Sequence, residues 1–498
     1  MTCSGKPTGA KSSENLNVVV VGASGDLARK KIFPALFSLF CQGYLPERFL
    51  AFGFARSKLS EGEFRESIFK HLTCRYTPDH SCAEQMEKFL ARCHYVAGDY
   101  GSSDSFLNLY EEMQKLDAGR AADRMFYLAI PPSIFVETAR AIGDAGMACV
   151  QGAGTWSRVV LEKPFGHDRK SSDKLSREMA QVFPERQTYR IDHYLGKEVV
   201  QNMIVLRFAN LVFEPMWNRN FISRVEIIWK EPHGVEGRGG YFDQYGIIRD
   251  LIQNHLLQML ALIAMEPPER MDARAISNEK AKLLRCVKPV KLKDIVVGQY
   301  TSATRGKHTQ PGYVEDPTVP DDSITPTFAA TRLEINNWRW DGVPFLVSAG
   351  KGLEEQVAEI RIHFRDVPGN MFCGKGGCPD ANQLVIRVQP DEAIYMQLTT
   401  KVPGTGMKLV PRTLDLRYKS AFTEQIPEAY ESLLLDVIRG DSSLFIRNDE
   451  LQAAWDIFTP VLHEMERRRL APEPYEFGST GPYGAEELGY ETHNIPER

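Results

Sequence analysis

Val18-Val19-Val20-Val21-Gly22-Ala23-Ser24-Gly25-Asp26-Leu27 is a run of four β-branched residues stopped by a glycine turn that opens a helical pattern. Four valines without polar alternation describe a strand covered on both faces, as in a parallel sheet. Gly22 and Gly25 let backbone amides approach a pyrophosphate, and the N-terminus of the following helix attracts its charge. The spacing is Gly-x-x-Gly and departs from the usual Gly-x-Gly-x-x-Gly, so a plain strand-to-helix turn is the competing reading. Outward from this turn, strand-like runs at 17–21, 50–54, 125–130, 158–161 and 188–191 alternate with helical spacing at 27–41, 103–116, 133–145 and 169–181. Such alternation predicts an α/β, Rossmann-like doubly wound domain, assigned to residues 16–195 after a polar tail at 1–15.

The ends of these strands carry the polar chemistry. Phe52-Gly53-Phe54-Ala55-Arg56-Ser57 closes the second strand where an NAD site usually has Asp or Glu for the ribose hydroxyls. Arg56 in that place suits a 2′-phosphate, and the site reads as NADP-preferring. Tyr127-Leu128-Ala129-Ile130-Pro131-Pro132 ends a strand where a nicotinamide would lie, although a strand stopped by proline looks the same. Leu161-Glu162-Lys163-Pro164-Phe165-Gly166 ends another, with Lys163 able to bond cofactor and substrate together and Pro164 suited to a cis bond that aims it.

Arg190-Ile191-Asp192-His193-Tyr194-Leu195-Gly196-Lys197-Glu198 packs an acid, an imidazole, a phenol and an ammonium into six positions. Neighbouring strand residues point to opposite faces, so Asp192 and His193 can serve different places. After Gly196 the rhythm changes: helix at 197–208, strand at 225–230, a long buried helix at 241–265, then strands at 330–336, 357–364, 384–388, 393–398 and 413–416 before helices at 427–438 and 449–469. Grouped strands predict an α+β second domain, 196–498, built on a large, mainly antiparallel sheet, with a long excursion loop at 298–326. In the long helix Asp250 and His255 interrupt an apolar surface, and Glu231 ends a strand as a further carboxylate suited to hydroxyls. A helix histidine among leucines is more often a bonded core residue than a base. A carboxylate nearby restores the basicity that burial removes, and an Asp–His pair then works as a base near neutrality.

Composition removes several classes. With 43% hydrophobic and 25% charged residues in 498, the chain is an ordinary globular protein of two or three domains. A net charge of −5 gives no case for nucleic acid or an anionic membrane. The apolar stretch 251–265 is interrupted by Gln253, Asn254, His255 and Gln258 and is too short for a bilayer, so no membrane span is expected. The tail lacks the apolar core of a signal peptide, and Ile495-Pro496-Glu497-Arg498 matches no receptor-read signal, which leaves the cytoplasm as the default. Nine scattered cysteines suit a reducing compartment better than a disulfide framework. Cys373 and Cys378 read as the flanks of a surface turn, and no metal is expected.

Gly-Ala-Ser-Gly-Asp-Leu-Ala, Glu-Lys-Pro-Phe-Gly, the Arg190 to Glu198 run, Gly-Arg-Gly-Gly-Tyr-Phe-Asp and Asn-His-Leu-Leu-Gln, in that order, resemble glucose-6-phosphate dehydrogenases from about Asn17 to Pro482. The resemblance implies NADP-dependent oxidation of glucose 6-phosphate to 6-phosphoglucono-δ-lactone, the first step of the oxidative pentose phosphate pathway. It assigns His255 as the base and Asp192 as its partner. His193, Tyr194 and Lys197 would hold the sugar phosphate, Glu231 and Asp250 the sugar hydroxyls, and Lys163 both ligands, with Lys351 and Gln389 as further substrate contacts. Gly22, Ser24, Gly25, Asp26, Leu27, Arg56, Tyr127 and Lys163 would bind NADP, and the family commonly forms homodimers through the large sheet, or homotetramers.

Two departures from the family are visible. Gln356 stands where many relatives carry a lysine or arginine, and part of that cationic cradle is missing or replaced. Arg361, Arg387, Tyr395 and Asp415 fit a second, non-catalytic NADP site of some relatives, whereas Val357, Gln397, Thr480 and a tail without tryptophan do not, so that site is expected to be absent or weak. The rivals are an NADP-linked oxidoreductase of an unphosphorylated sugar, which would not need the His193, Tyr194 and Lys197 cluster, and a catalytically dead NADP-binding scaffold.

Overall fold

Val18 to Val21 are fully buried in the strand Asn15–Val21 (β1). The computed structural model describes residues 14–76, 79–148, 154–305, 308–374 and 378–489, so most of the expected polar tail and the last residues lie outside it. β1 pairs in parallel with Arg48–Ala55 (β2) on one side and, once Cys93–Ala97 (β3) is passed, with Asp123–Leu128 (β4) on the other. With Ser157–Leu161 (β5) and Thr188–Arg190 (β6) the order is β3-β2-β1-β4-β5-β6, all parallel. The expected doubly wound sheet is borne out. Its strand order reverses between β1 and β4, which is where such sheets open a crevice for ligands.

Two compact units divide the chain. One runs to Gly196 and takes in Met271–Ser277 and Pro427–Leu451; the other holds Lys197–Arg270, Asn278–Ile426 and the chain from Gln452 onward. The first unit thus includes two segments that the sequence pattern assigns to the second domain. The helix Ala429–Arg439 is the reason: its Leu433, Leu434 and Val437 are buried in one core with Val18, Val20, Phe33 and Phe64. Its C-terminal carbonyls at Val437 and Ile438 accept from the Arg158 guanidinium at 2.5 and 2.8 Å. An apolar helical face joins whichever core covers it, whatever its distance along the chain.

In the second unit the strands are Ile222–Lys230 (β7), Ile295–Thr301 (β8), Phe328–Glu334 (β9), Pro344–Gly350 (β10), Val357–Phe364 (β11), Gln383–Gln389 (β12), Ala393–Lys401 (β13), Leu409–Arg417 (β14) and Glu473–Glu476 (β15). They form one sheet in the order β14-β13-β12-β11-β7-β10-β9-β8-β15. Only the β7–β10 and β8–β15 pairings are parallel, as the expected mainly antiparallel sheet requires. The stretch expected as a loop at 298–326 instead begins inside β8 and carries a small hairpin, Ala303–Arg305 with His308–Gln310.

Over the sheet lies the buried helix expected at 241–265. It is in two pieces: a short helix Gly239–Asp243, then, after Gly246 at φ +66°, a π-helical stretch Ile248–Leu256 running into the α-helix Leu257–Ala264. Every residue from Leu251 to Met265 is buried, so water cannot satisfy the helix's last carbonyls. Side chains do it instead. Arg207 donates to the Leu262 and Met265 carbonyls at 2.7 Å each, Trp217 to Ile263 at 2.8 Å and Trp340 to Ala264 at 2.8 Å. Burial pulls the Arg207 guanidinium down to about 9, which leaves it charged at neutral pH.

One sequence expectation is overturned. Cys74–Cys82 and Cys373–Cys378 are disulfide-bonded, with Cα atoms 5.8 and 4.1 Å apart, whereas the scattered cysteines read as better suited to a reducing compartment than to a disulfide framework. Separations of eight and five residues let a short loop bring each pair together, a proximity that scattered spacing along the sequence conceals. Cys373 and Cys378 are exposed, and residues 375–377 of the expected surface turn between them lie outside the described residues. No helix among the described residues is long and apolar enough to cross a membrane.

Replacing Arg207 with Met leaves two buried carbonyls without their donor. The expected loss is about 3 kcal/mol, read as a lower urea midpoint for the unfolding of the second unit; a shift under about 0.5 kcal/mol contradicts the role given to this cap.

Candidate active site

At the end of β1 the chain turns so tightly that a Cβ on Gly22, at φ +90°, would lie 2.3 Å from the Ala129 carbonyl oxygen and 2.9 Å from Ile130 Cγ2. The Gly22 amide donates to Phe54 O at 2.8 Å and the Gly25 amide to Gly22 O at 2.9 Å, which closes the loop over the ends of β1, β2 and β4. Ser24 faces Ser57 across the loop, with 3.3 Å between hydroxyls, and Tyr95 donates to the Ser57 carbonyl at 2.6 Å. Asp26 sits at the head of the helix, where Lys30 and Arg29 hold its carboxyl below the usual range. Leu27 follows, leading into the π-helical turn Ala28–Ile32. The Arg56 guanidinium lies over the Tyr100 ring, 5.2 Å from its centre, with no acidic partner among the described residues. A glycine loop with no room for a Cβ, next to an arginine free of carboxylate, fits a dinucleotide with a 2′-phosphate.

Tyr127 behaves differently from its neighbours in the expected cofactor set. Its ring is fully buried, and its hydroxyl donates to Glu162. Glu162 also accepts from Tyr430 at 3.1 Å. Desolvation pushes the Glu162 carboxyl up, against the pull of the two phenols and of Lys163. The Lys163–Pro164 bond is cis, as the sequence suggested.

After β6 the chain folds into a turn around Asp192, which is 2% exposed. Its Oδ1 accepts from the Tyr194 amide at 2.9 Å and its carbonyl from the Leu195 amide at 3.0 Å. An aspartate bonding the backbone two residues on makes such a turn by itself. His193 meets Tyr194 edge-on, with ring centres 5.0 Å apart at 64°, and stacks on Tyr430 at 6.2 Å and 9°.

In the second unit Lys197 precedes the helix Glu198–Phe208, and its ammonium donates to Gln389 Oε1 at 3.3 Å. β7 and β10 run side by side in parallel, Lys230 opposite Gly350, so the residues just past their ends meet: Lys351 Nζ lies 2.5 Å from Glu231 Oε2. His255 is 1% exposed in the π-helical stretch, its amide donates to Asn254 Oδ1 at 2.5 Å, and its ring stacks on Trp229 of β7 at 5.7 Å and 14°. Asp250 is half-buried earlier in the same stretch. Gln356 is exposed beside Glu355, and Lys230 is engaged by Glu354 and Glu355.

The first unit thus gathers the glycine loop, Arg56, Lys163, Asp192, His193 and Tyr194, and the second gathers Lys197 with Gln389, Glu231 with Lys351, and Asp250 with His255 on one helix. Sequence reasoning missed Glu162 as an acceptor, Trp229 as the support of His255 and Tyr430 as the support of His193. A glutamate beside the more conspicuous Lys163, a tryptophan inside an apolar run and a tyrosine at the start of a distant helix carry no local signal.

Comparison with known proteins gives two family matches, end to end: "Glucose-6-phosphate dehydrogenase, NAD binding domain" over residues 19–202 and "Glucose-6-phosphate dehydrogenase, C-terminal domain" over 204–494. A chloroplastic glucose-6-phosphate 1-dehydrogenase of Spinacia oleracea is 53% identical over 97% of this chain and 84% of its own length. A cytoplasmic one of Arabidopsis thaliana is 49% identical over 95% and 90%. A solved glucose-6-phosphate dehydrogenase in complex with its substrate glucose-6-phosphate superposes with a TM-score of 0.90 at 41% identity, covering 98% of this chain and 99% of that one.

Proposed function

This chain belongs to the glucose-6-phosphate dehydrogenase family, and on that premise we propose how its residues share the reaction. The activity is that of the family: an oxidoreductase that oxidises glucose 6-phosphate with NADP. An unphosphorylated sugar is not favoured as substrate, and a dead scaffold has no support in an intact set of site residues.

His255 accepts the proton of the anomeric hydroxyl. The C–H electron pair leaves the same carbon as hydride, and a lactone carbonyl forms in its place. Bound NADP⁺ supplies the hydride acceptor. Asp192 stabilises the imidazolium that His255 becomes and sets the orientation of its ring. His193, Tyr194 and Lys197 hold the sugar phosphate, assisted by Gln389, which already accepts from Lys197. Glu231 and Asp250 take sugar hydroxyls, and the Lys351 ammonium pairs with the Glu231 carboxylate and directs it. Lys163 bonds both ligands. On the cofactor side, Gly22, Ser24, Gly25, Asp26 and Leu27 surround the pyrophosphate, Arg56 takes the 2′-phosphate, and Tyr127 acts through Glu162. The observation that carries this assignment is His255 itself, an imidazole buried in an apolar helix that widens to π geometry around it, a departure that often marks a functional site.

Self-association through the large sheet is proposed in the same way. The outer strand β14 leaves Leu414 66% and Leu416 36% exposed, as a face awaiting a copy of itself would, and sedimentation velocity giving a lone chain at micromolar concentration overturns it. A cytoplasmic address, that of two of the relatives, falls to a fractionation that recovers the activity in plastids.

His255→Asn is expected to lower turnover, followed at 340 nm, by about 10²–10⁴-fold while glucose 6-phosphate still binds; near-normal turnover removes His255 as the base. The second NADP site is proposed to be absent or weak, because Glu359 already pairs with Arg361 at 2.5 Å and approaches Arg387 at 3.5 Å, and Arg387 lies over the Tyr395 ring. Equilibrium dialysis then yields one tight NADP per chain, and two tight NADP per chain contradict it.

A further inference from the structure

We propose that Tyr430 is a positioning residue for the sugar phosphate, one that backs His193 with its ring and is itself held by Glu162. The proposal rests on the reading that His193 holds the phosphate.

Tyr430 is the second residue of the helix Ala429–Arg439, more than two hundred positions after His193. That helix is fixed at both ends. At its start, a Cβ on Gly196 would lie 2.5 Å from the Ala429 carbonyl oxygen, so the turn that carries His193 approaches the helix as closely as only glycine permits. At its end the Arg158 guanidinium holds the Val437 and Ile438 carbonyls, and Gly440 closes the helix at φ +82°. Between them Leu433, Leu434 and Val437 are buried in the core that contains β1. Tyr430 therefore has little freedom to move along or away from the phosphate turn.

Its two contacts do different work. The ring lies nearly parallel to the His193 imidazole, 9° off with centres 6.2 Å apart. It lies along one side of the imidazole and limits its rotation. The hydroxyl donates to Glu162 at 3.1 Å, and desolvation with the Glu162 charge keeps that phenol protonated, so it remains a donor. Glu162 also accepts from Tyr127 of β4 and directly precedes Lys163. A histidine held ready loses less freedom when the phosphate arrives, and the gain appears as tighter binding of the phosphorylated sugar alone.

The test compares Tyr430→Met, which keeps an apolar side chain of similar reach without the ring, with Tyr430→Phe, which keeps the ring without the hydroxyl, and with His193→Ala. KM and kcat are measured with glucose 6-phosphate and with free glucose at saturating NADP⁺. Tyr430→Met is expected to raise KM for glucose 6-phosphate by about three- to tenfold, with kcat within about twofold and KM for free glucose unchanged. Tyr430→Phe recovers most of that loss, staying within about twofold of the parent. An unchanged KM in Tyr430→Met beside a raised KM in His193→Ala overturns the proposal alone, as do equal losses on both sugars. An unchanged KM in His193→Ala overturns the phosphate reading and the proposal with it. If Tyr430→Met does not fold, Tyr430→Phe decides: a rise in KM as large as that of His193→Ala contradicts a role for the ring.

Discussion

The helix that bears His255 ends inside the protein, and four carbonyls at that end have to be bonded by something other than water. Arg207 bonds the Leu262 and Met265 carbonyls, and Trp217 and Trp340 bond those of Ile263 and Ala264 between them. An unpaired buried acceptor costs about 1–3 kcal/mol, so a slide of the helix by even one residue would strand several of them. The donors are held in turn: Arg339 bonds the Trp217 carbonyl at 2.8 Å and forms ion pairs with Glu214 at 2.8 Å and Glu266 at 2.5 Å. A helix pinned along its axis gives Asp250 and His255 fixed heights, and Trp229 beneath fixes the plane of the imidazole. Packing interactions distant from any ligand thus set the geometry of the proposed base.

The other polar groups owe their positions to equally plain constraints. Parallel pairing of β7 and β10 puts Glu231 and Lys351 past neighbouring strand ends, where they meet without any special motif. An aspartate turn folds the chain from Asp192 to Tyr194 and fixes where their side chains leave it. The glycine at the end of β1 is forced by the Ala129 carbonyl, and the same close passage leaves backbone exposed to a pyrophosphate. In each case one physical requirement of the fold and one requirement of the chemistry fall on the same residue.

Much of this was legible in the sequence. A buried parallel strand announces itself by unbroken valines, and dense polar motifs at strand ends stand out against the apolar background. What was not legible falls into two kinds. Two strands escape a pattern reading for different reasons: β3, at the edge of its sheet, has only Cys93 fully buried, and β10, though buried after its first residue, begins with a proline. Long-range contacts are invisible as well. Nothing near residue 430 points to the first unit, nothing in the spacing of Cys74 and Cys82 announces a bond, and Trp229 in an apolar strand looks like any core residue until His255 is seen stacked on it.

The central claim is that an imidazole carried by the second unit acts as base with the support of a carboxylate carried by the first. Asp192→Asn probes it directly, because the amide keeps the size of the side chain and an oxygen for the Tyr194 amide while removing the charge. The single-turnover rate of NADPH formation and the affinity for glucose 6-phosphate, measured on the same preparation, separate chemistry from binding. The expected result is a fall in rate of about 10²–10⁴-fold with affinity little changed. A rate within about threefold of the parent would contradict the claim.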